Sequence, residues 1–152
     1  MPGLLDRFLT GGDTGRARVG VFVDGPNTFR DEFDVDLDDV RAIGRERGDL
    51  AYARIYLNEH ATPGLVQAAE AHGFEVVVTS GDVDVKLAID ATEAIVDDRI
   101  DALVVLSRDT DFKPVLETAG RYGVHTTAVA PGEHGRSDAL SNAADDPRLL
   151  DD

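Results

Sequence analysis

The sequence predicts an α/β fold: a three-layer sandwich on a five-stranded, mostly parallel sheet. Two observations carry this. Continuous apolar runs of strand length, such as VGVFV (19–23) and ALVVL (102–106), show no polar alternation, which is the pattern of strands buried on both faces. Between the runs lie segments of helical length, opened by capping residues and closed by glycine. Strands alternating with helices build a parallel sheet covered on both sides, with right-handed crossovers. Ligands of such sheets bind at the carboxyl ends of the strands.

The elements follow in order. Residues 1–17 hold an apolar cluster (Leu4, Leu5, Phe8, Leu9) and then GGDTG, read as a flexible N-terminal arm. The domain itself spans 18–143. Its first strand is 19–23. Asp36 caps a helix over about 37–47, which Gly48 ends. A second strand covers 50–57. Thr62 and Pro63 start a helix that stops at Gly73. FEVVVT (74–79) is a third strand, and a helix runs from about 83 to 98. The fourth strand is 102–106. A helix over 111–122 closes at Gly123, and the fifth strand is 124–130. The loop PGEHGR leads to a short helix near 137–143. Residues 144–152 form an acidic C-terminal tail. There is no internal repeat.

Composition narrows the function classes. At 152 residues and 16.3 kDa the chain predicts one domain. It has no cysteine, so disulfides, thiolate metal sites and a cysteine nucleophile are excluded. Four scattered histidines (His60, His72, His125, His134) are a poor basis for a structural zinc site. No apolar run nears the ~20 residues that span a bilayer, and the start lacks signal-peptide character. A cytoplasmic protein with no membrane role is the expectation. Acids number 30 against 15 bases, for a net charge of −15. Aspartates are 22 of the acids and lysines only two of the bases, a composition resembling halophilic proteins. Salt at 1 M shortens the Debye length to ~3 Å, so an acidic chain there is not barred from nucleic acid.

Four aspartates fall at predicted strand ends. Asp24 follows the first strand directly. Asp109 and Asp111 follow the fourth, after Ser107 and Arg108. Asp84 opens the helix after the third. On the helical wheel it shares a face with Leu87, Ala88, Ala91 and Ile95, the core-facing stripe. Asp90 instead falls with Lys86, Glu93 and Asp97 on the polar stripe, predicted as a solvated face with a Lys86–Asp90 pair. Plainer readings stand beside these: Asp24 as a turn residue of DGPN, Asp84 as a first-turn acid facing the helix dipole, Asp109 or Asp111 as a cap. Asn27 and Ser107 orient loops or offer neutral oxygens near a metal or phosphate. Clustered carboxylates must share a proton or bind a cation, and oxygen-only ligands suit Mg²⁺ or Mn²⁺. Such ions orient water, lower its pKa and stabilise charge on a phosphodiester.

The alternatives fit less well. Receiver domains need a lysine after the fifth strand, and TTAVAPG (126–132) has none. Haloacid-dehalogenase-like phosphatases place a second aspartate where Pro26 stands, though a small-phosphoester phosphatase stays a third option. Toprim nucleases expect glutamate after the first strand. No glycine-rich nucleotide loop follows any strand.

The stretches VFVDGPN (21–27), VDVKLAIDA (83–91) and LSRDTDFKPVL (106–116) resemble the NYN domain family of the PIN-like nuclease superfamily, in particular its LabA-like members. The resemblance implies a PIN-like sheet and a Mg²⁺- or Mn²⁺-dependent ribonuclease of RNA processing or decay. The catalytic and metal-binding positions would be Asp24, Asp84, Asp109 and Asp111, with Asp24, Asp84 and Asp109 as main ligands. Asn27, Ser107 and Asp90 would support them, and Arg30, Lys86, Arg108 and Lys113 would contact RNA. The pattern departs at Gly81–Asp82, where the family often has Lys-Gly, and at Arg108, where it usually has Gly. A non-cleaving RNA- or protein-binding regulator on the same fold is the alternative. A homodimer is left open.

Overall fold

The computed structural model describes residues 16–28, 36–132 and 138–150. Most of the N-terminal arm, 1–17, lies outside them. The first strand, β1 (Ala17–Asp24), runs into a single turn of helix, α1 (Gly25–Thr28). Then come α2 (Leu37–Arg45), β2 (Gly48–Asn58), α3 (Pro63–Ala71), β3 (Glu75–Thr79), α4 (Val83–Val96) and β4 (Ala102–Leu106). A short 3-10 turn (Thr110–Phe112) precedes α5 (Lys113–Arg121), β5 (His125–Ala130), α6 (Asp138–Ala143) and β6 (Asp146–Leu149). No helix among the described residues is long and apolar enough to cross a membrane.

All six strands pair in parallel in the order β3-β2-β1-β4-β5-β6. Strand order reverses between β1 and β4, so a crevice opens at their carboxyl ends. Alternate side chains split the core. Val19, Val21, Val23, Ile55 and Leu57 face α2 and α3, while Phe22, Tyr56, Leu103 and Val105 face α4, α5 and α6. Burying each of the larger side chains contributes roughly 1.5–3 kcal/mol, which makes both layers necessary.

Local signals set several boundaries. The Asp36 carboxylate accepts the Asp38 N–H at 2.8 Å, and Thr62 Oγ1 accepts the Leu65 N–H at 3.2 Å, each opening its helix. Gly73 and Gly123 close α3 and α5 with φ of +87° and +74°.

Two expectations are corrected. The sheet has six strands, not five. The sixth comes from the acidic end, where Leu150 N–H also reaches Ala130 O at 3.0 Å. Its sequence, DPRL, has no apolar run, so only the open edge of β5 defines it. A proline is tolerated in such an edge strand. Gly48 does not end α2 either. It begins β2, where a Cβ would lie 2.1 Å from the Ala17 carbonyl oxygen, so the close approach to β1 demands glycine.

Candidate metal centre

The crevice between β1 and β4 gathers the acids. Asp24, the last residue of β1, is only 1% exposed. Behind it, Gly25 has no room for a side chain: a Cβ would sit 2.3 Å from Leu57 Cδ2 and 2.5 Å from Tyr56 O. That contact fixes where the chain turns after β1. Buried Ser107, just past β4, donates its hydroxyl to Asp24 Oδ2 at 3.1 Å and accepts the Asp109 N–H at 3.0 Å. Asp109 Oδ1 in turn accepts the Asp111 N–H at 2.9 Å, capping the 3-10 turn. The capping role and the site role thus fall on one residue.

Asp84 lies in the first turn of α4, partly buried. One carboxylate oxygen from each of Asp84, Asp109 and Asp111 lies within 4.8 Å of the other two. Among the described residues none of the three pairs with a cation. At an effective dielectric near 20, two unit charges so placed repel by roughly 3 kcal/mol or more, and solvent lowers this at exposed Asp111. The donor set fits a small hard cation. Asp84, Asp109 and Asp111 would hold such an ion through carboxylate oxygens, the donor type that Mg²⁺ takes.

The NYN domain family model matches residues 18–151. The chain belongs to the NYN domain family. This family is of PIN-like nuclease type. An uncharacterized protein of Methanocaldococcus jannaschii is 40% identical over 131 residues, which is 86% of this chain and 54% of that protein. The NYN domain chain thus spans about half the length of that relative. The crystal structure of a Vibrio parahaemolyticus protein of unknown function superposes with a TM-score of 0.78 at 22% identity. The match covers 90% of this chain and 94% of that one, and at this identity it speaks for the fold alone.

The other predicted site residues of this NYN domain divide. Asp24 is not one of the three that close within 4.8 Å; it reaches them through Ser107. Ser107 faces inward to Asp24 and the Asp109 backbone. Asp90 overturns the solvated-face expectation. Its side chain is 9% exposed and accepts the Tyr56 hydroxyl at 2.7 Å. The pair with Lys86 is present at 3.1 Å, and Arg54 Nη1 stands 3.8 Å away. Lys86 is engaged by Asp90 and stays about half exposed on α4. Arg108 is partly buried next to the crevice, and Lys113 is exposed at the start of α5. Arg30 and the side chain of Asn27 lie outside the described residues. Sequence reasoning missed Tyr56; its partner Asp90 lies 34 residues away on another element, so no local pattern signals it.

Proposed function

We propose that this NYN domain is a metal-dependent endoribonuclease that hydrolyses RNA phosphodiesters in RNA processing or decay. The observation that carries the reading is the convergence of Asp84, Asp109 and Asp111 at the strand-order reversal. Asp84, Asp109 and Asp111 would hold Mg²⁺ or Mn²⁺, with Asp24 behind them. A bound ion supplies Lewis-acid charge at the phosphodiester and a lowered pKa for water. The chain's own residues do the positioning. Ser107 ties Asp24 to the Asp109 loop, the 3-10 turn aims Asp109 and Asp111, and the Asp90–Tyr56 bond pins α4 and with it Asp84. Arg108 and Lys113, neighbours in sequence of Asp109 and Asp111, would meet a phosphate strand. The three motif stretches favour the LabA-like branch, and the Asp-rich, Lys-poor composition favours the cytoplasm of a salt-accumulating cell.

The test is cleavage of labelled single-stranded and structured RNA with Mn²⁺ at high KCl, with and without EDTA. Asp109→Asn keeps the cap, since Asn caps as well as Asp, and removes one ligand charge. We expect cleavage to fall at least about 100-fold, the scale on which lost metal-site support acts. Full activity in the variant overturns the assignment. Binding without cleavage by the unaltered protein, across all substrates, favours the non-cleaving regulator.

A further inference from the structure

A second feature lies toward the opposite end of the sheet. β3 pairs with β2 only from Arg54 to Asn58. The first half of β2 therefore has β1 on one side and no described strand on the other. Beside that open edge is a groove of about 450 Å³, walled by Arg41 and Arg45 of α2, the β2 edge, Gly73 and Glu75.

Its charge balance is unusual for this chain. Both acids on its wall are already held by other arginines. Arg16 Nη2 lies 2.9 Å from Asp49 Oδ1, and Arg54 Nε lies 2.8 Å from Glu75 Oε1. Arg41 and Arg45 form no ion pair among the described residues. The Nε of Arg41 is buried with no hydrogen-bond partner among the described residues. Its guanidinium lies over Gly73, where a Cβ would come within 3.0 Å of Cζ, so the bare glycine makes the room it occupies. A protein of net charge −15 thus lines one groove with two arginines that have no ion pair among the described residues.

An open strand edge beside cations suits either an added peptide strand or a phosphate chain. The edge itself decides between them. Val19 pairs with Leu50 but Gly20 with Tyr52, leaving Ala51 as a bulge. A bulge breaks the regular ladder and turns the edge from an incoming strand. The arginine fork, by contrast, matches phosphate oxygens two at a time.

We propose that this groove binds the phosphates of a single-stranded polynucleotide, with Arg41 and Arg45 as the contacts. The choice of a polynucleotide as the phosphate source rests on the nuclease reading above. The two sites are physically separate: from Ala51 to the carboxyl end of β2 the strand rises roughly 23 Å. Substitutions in the groove therefore leave the carboxylates untouched.

The experiment titrates a labelled 12-nucleotide single strand (length chosen as roughly two to three times a minimal site of about 4 nucleotides) with the full chain. EDTA is present, so binding is read without cleavage, and anisotropy is followed at several KCl concentrations. Each neutralised phosphate of a single strand adds about −0.7 to the slope of log K against log salt. Arg41→Ala/Arg45→Ala is expected to flatten the slope by about 1.4 and weaken binding at least about tenfold at low salt. Unchanged affinity and slope overturn the proposal. Arg45 is exposed, so Arg45→Ala alone, with about half the flattening, keeps the test if the double variant does not fold. Poly-glutamate displacing the strand as well as polyphosphate does would overturn the phosphate assignment in favour of an acidic peptide. Inorganic phosphate binding as tightly as the strand, with the same arginine dependence, would overturn the polynucleotide source. Asp109→Asn is expected to keep arginine-dependent binding in EDTA, and its cleavage result bears on the nuclease reading alone.

Discussion

Replacing Asp90 measures how firmly α4, and with it Asp84, is held to the sheet. The carboxylate accepts the hydroxyl of fully buried Tyr56 at 2.7 Å and faces Lys86 at 3.1 Å and Arg54 at 3.8 Å. A hydrogen bond to a charged group contributes about 1.5–3 kcal/mol, and an orphaned buried hydroxyl costs about 1–3 kcal/mol. Lys86 is half exposed, so its ion pair adds well under about 1 kcal/mol. Asp90→Ala is therefore expected to cost about 2–4 kcal/mol. Tyr56→Phe loses the same bond but leaves Asp90 with its two cations, for about 1–2 kcal/mol. The double variant loses the bond only once, giving a coupling of about 1–2 kcal/mol. Urea unfolding of all four proteins at a common m-value reads these numbers. A second readout is the tyrosine itself. Burial pushes its hydroxyl pKa up, and the Asp90 charge pushes it further. In Asp90→Ala the hydroxyl is expected to ionise at a lower pH than in the parent. A coupling under about 0.3 kcal/mol, the usual error of additivity, together with an unmoved tyrosine titration, would refute the latch.

The candidate metal centre and the last strand give further expectations. Mg²⁺ or Mn²⁺ at a hundred times its Kd stabilises by about 2.7 kcal/mol, which is roughly 5–10 °C in thermal midpoint for a domain of this size. Asp84→Asn/Asp109→Asn is expected to raise the ion-free midpoint by relieving repulsion and to abolish the ion-dependent rise. An equal rise in that variant argues against a shared site. At β5, the Thr126 N–H at 3.0 Å, helped by the Thr126 hydroxyl, holds the Asp145 carboxyl below its ordinary value of 3.8. A folded pKa below the unfolded one gives stability that is complete above the ordinary value and fades as pH falls through the folded one. Asp145→Ala is thus expected to lower the midpoint at neutral pH and to converge on the parent in acid. A difference that stays constant with pH would contradict this.

What the sequence made legible follows from what each pattern measures. Runs such as VGVFV and ALVVL reveal β1 and β4 because strands buried on both faces must be apolar at every position. Asp24, Asp84, Asp109 and Asp111 were traceable because strand ends in this architecture share one rim. Their depth was not, since no periodicity tells that Asp24 lies behind Ser107. The wheel placed Asp90 on a polar stripe but counts only one helix. Tyr56 and Arg54 on β2 turn that stripe into an interior contact. β6 escaped because its strand character comes from the edge of β5 and the Asp145–Thr126 bonds. The arginine groove is assembled from α2, β2 and the turn before β3, so no local window contains it.

The hydroxyl of Ser107 stitches together the tips of the two central strands. Because it stands on one tip and grips a carboxylate on the other, the halves of the sheet cannot splay there without breaking that bond, while its second bond, to the Asp109 N–H, holds the following loop against the same tip. The floor of the pocket is consequently stiff from the moment the chain folds, and an arriving ion has only the outer carboxylates left to draw in.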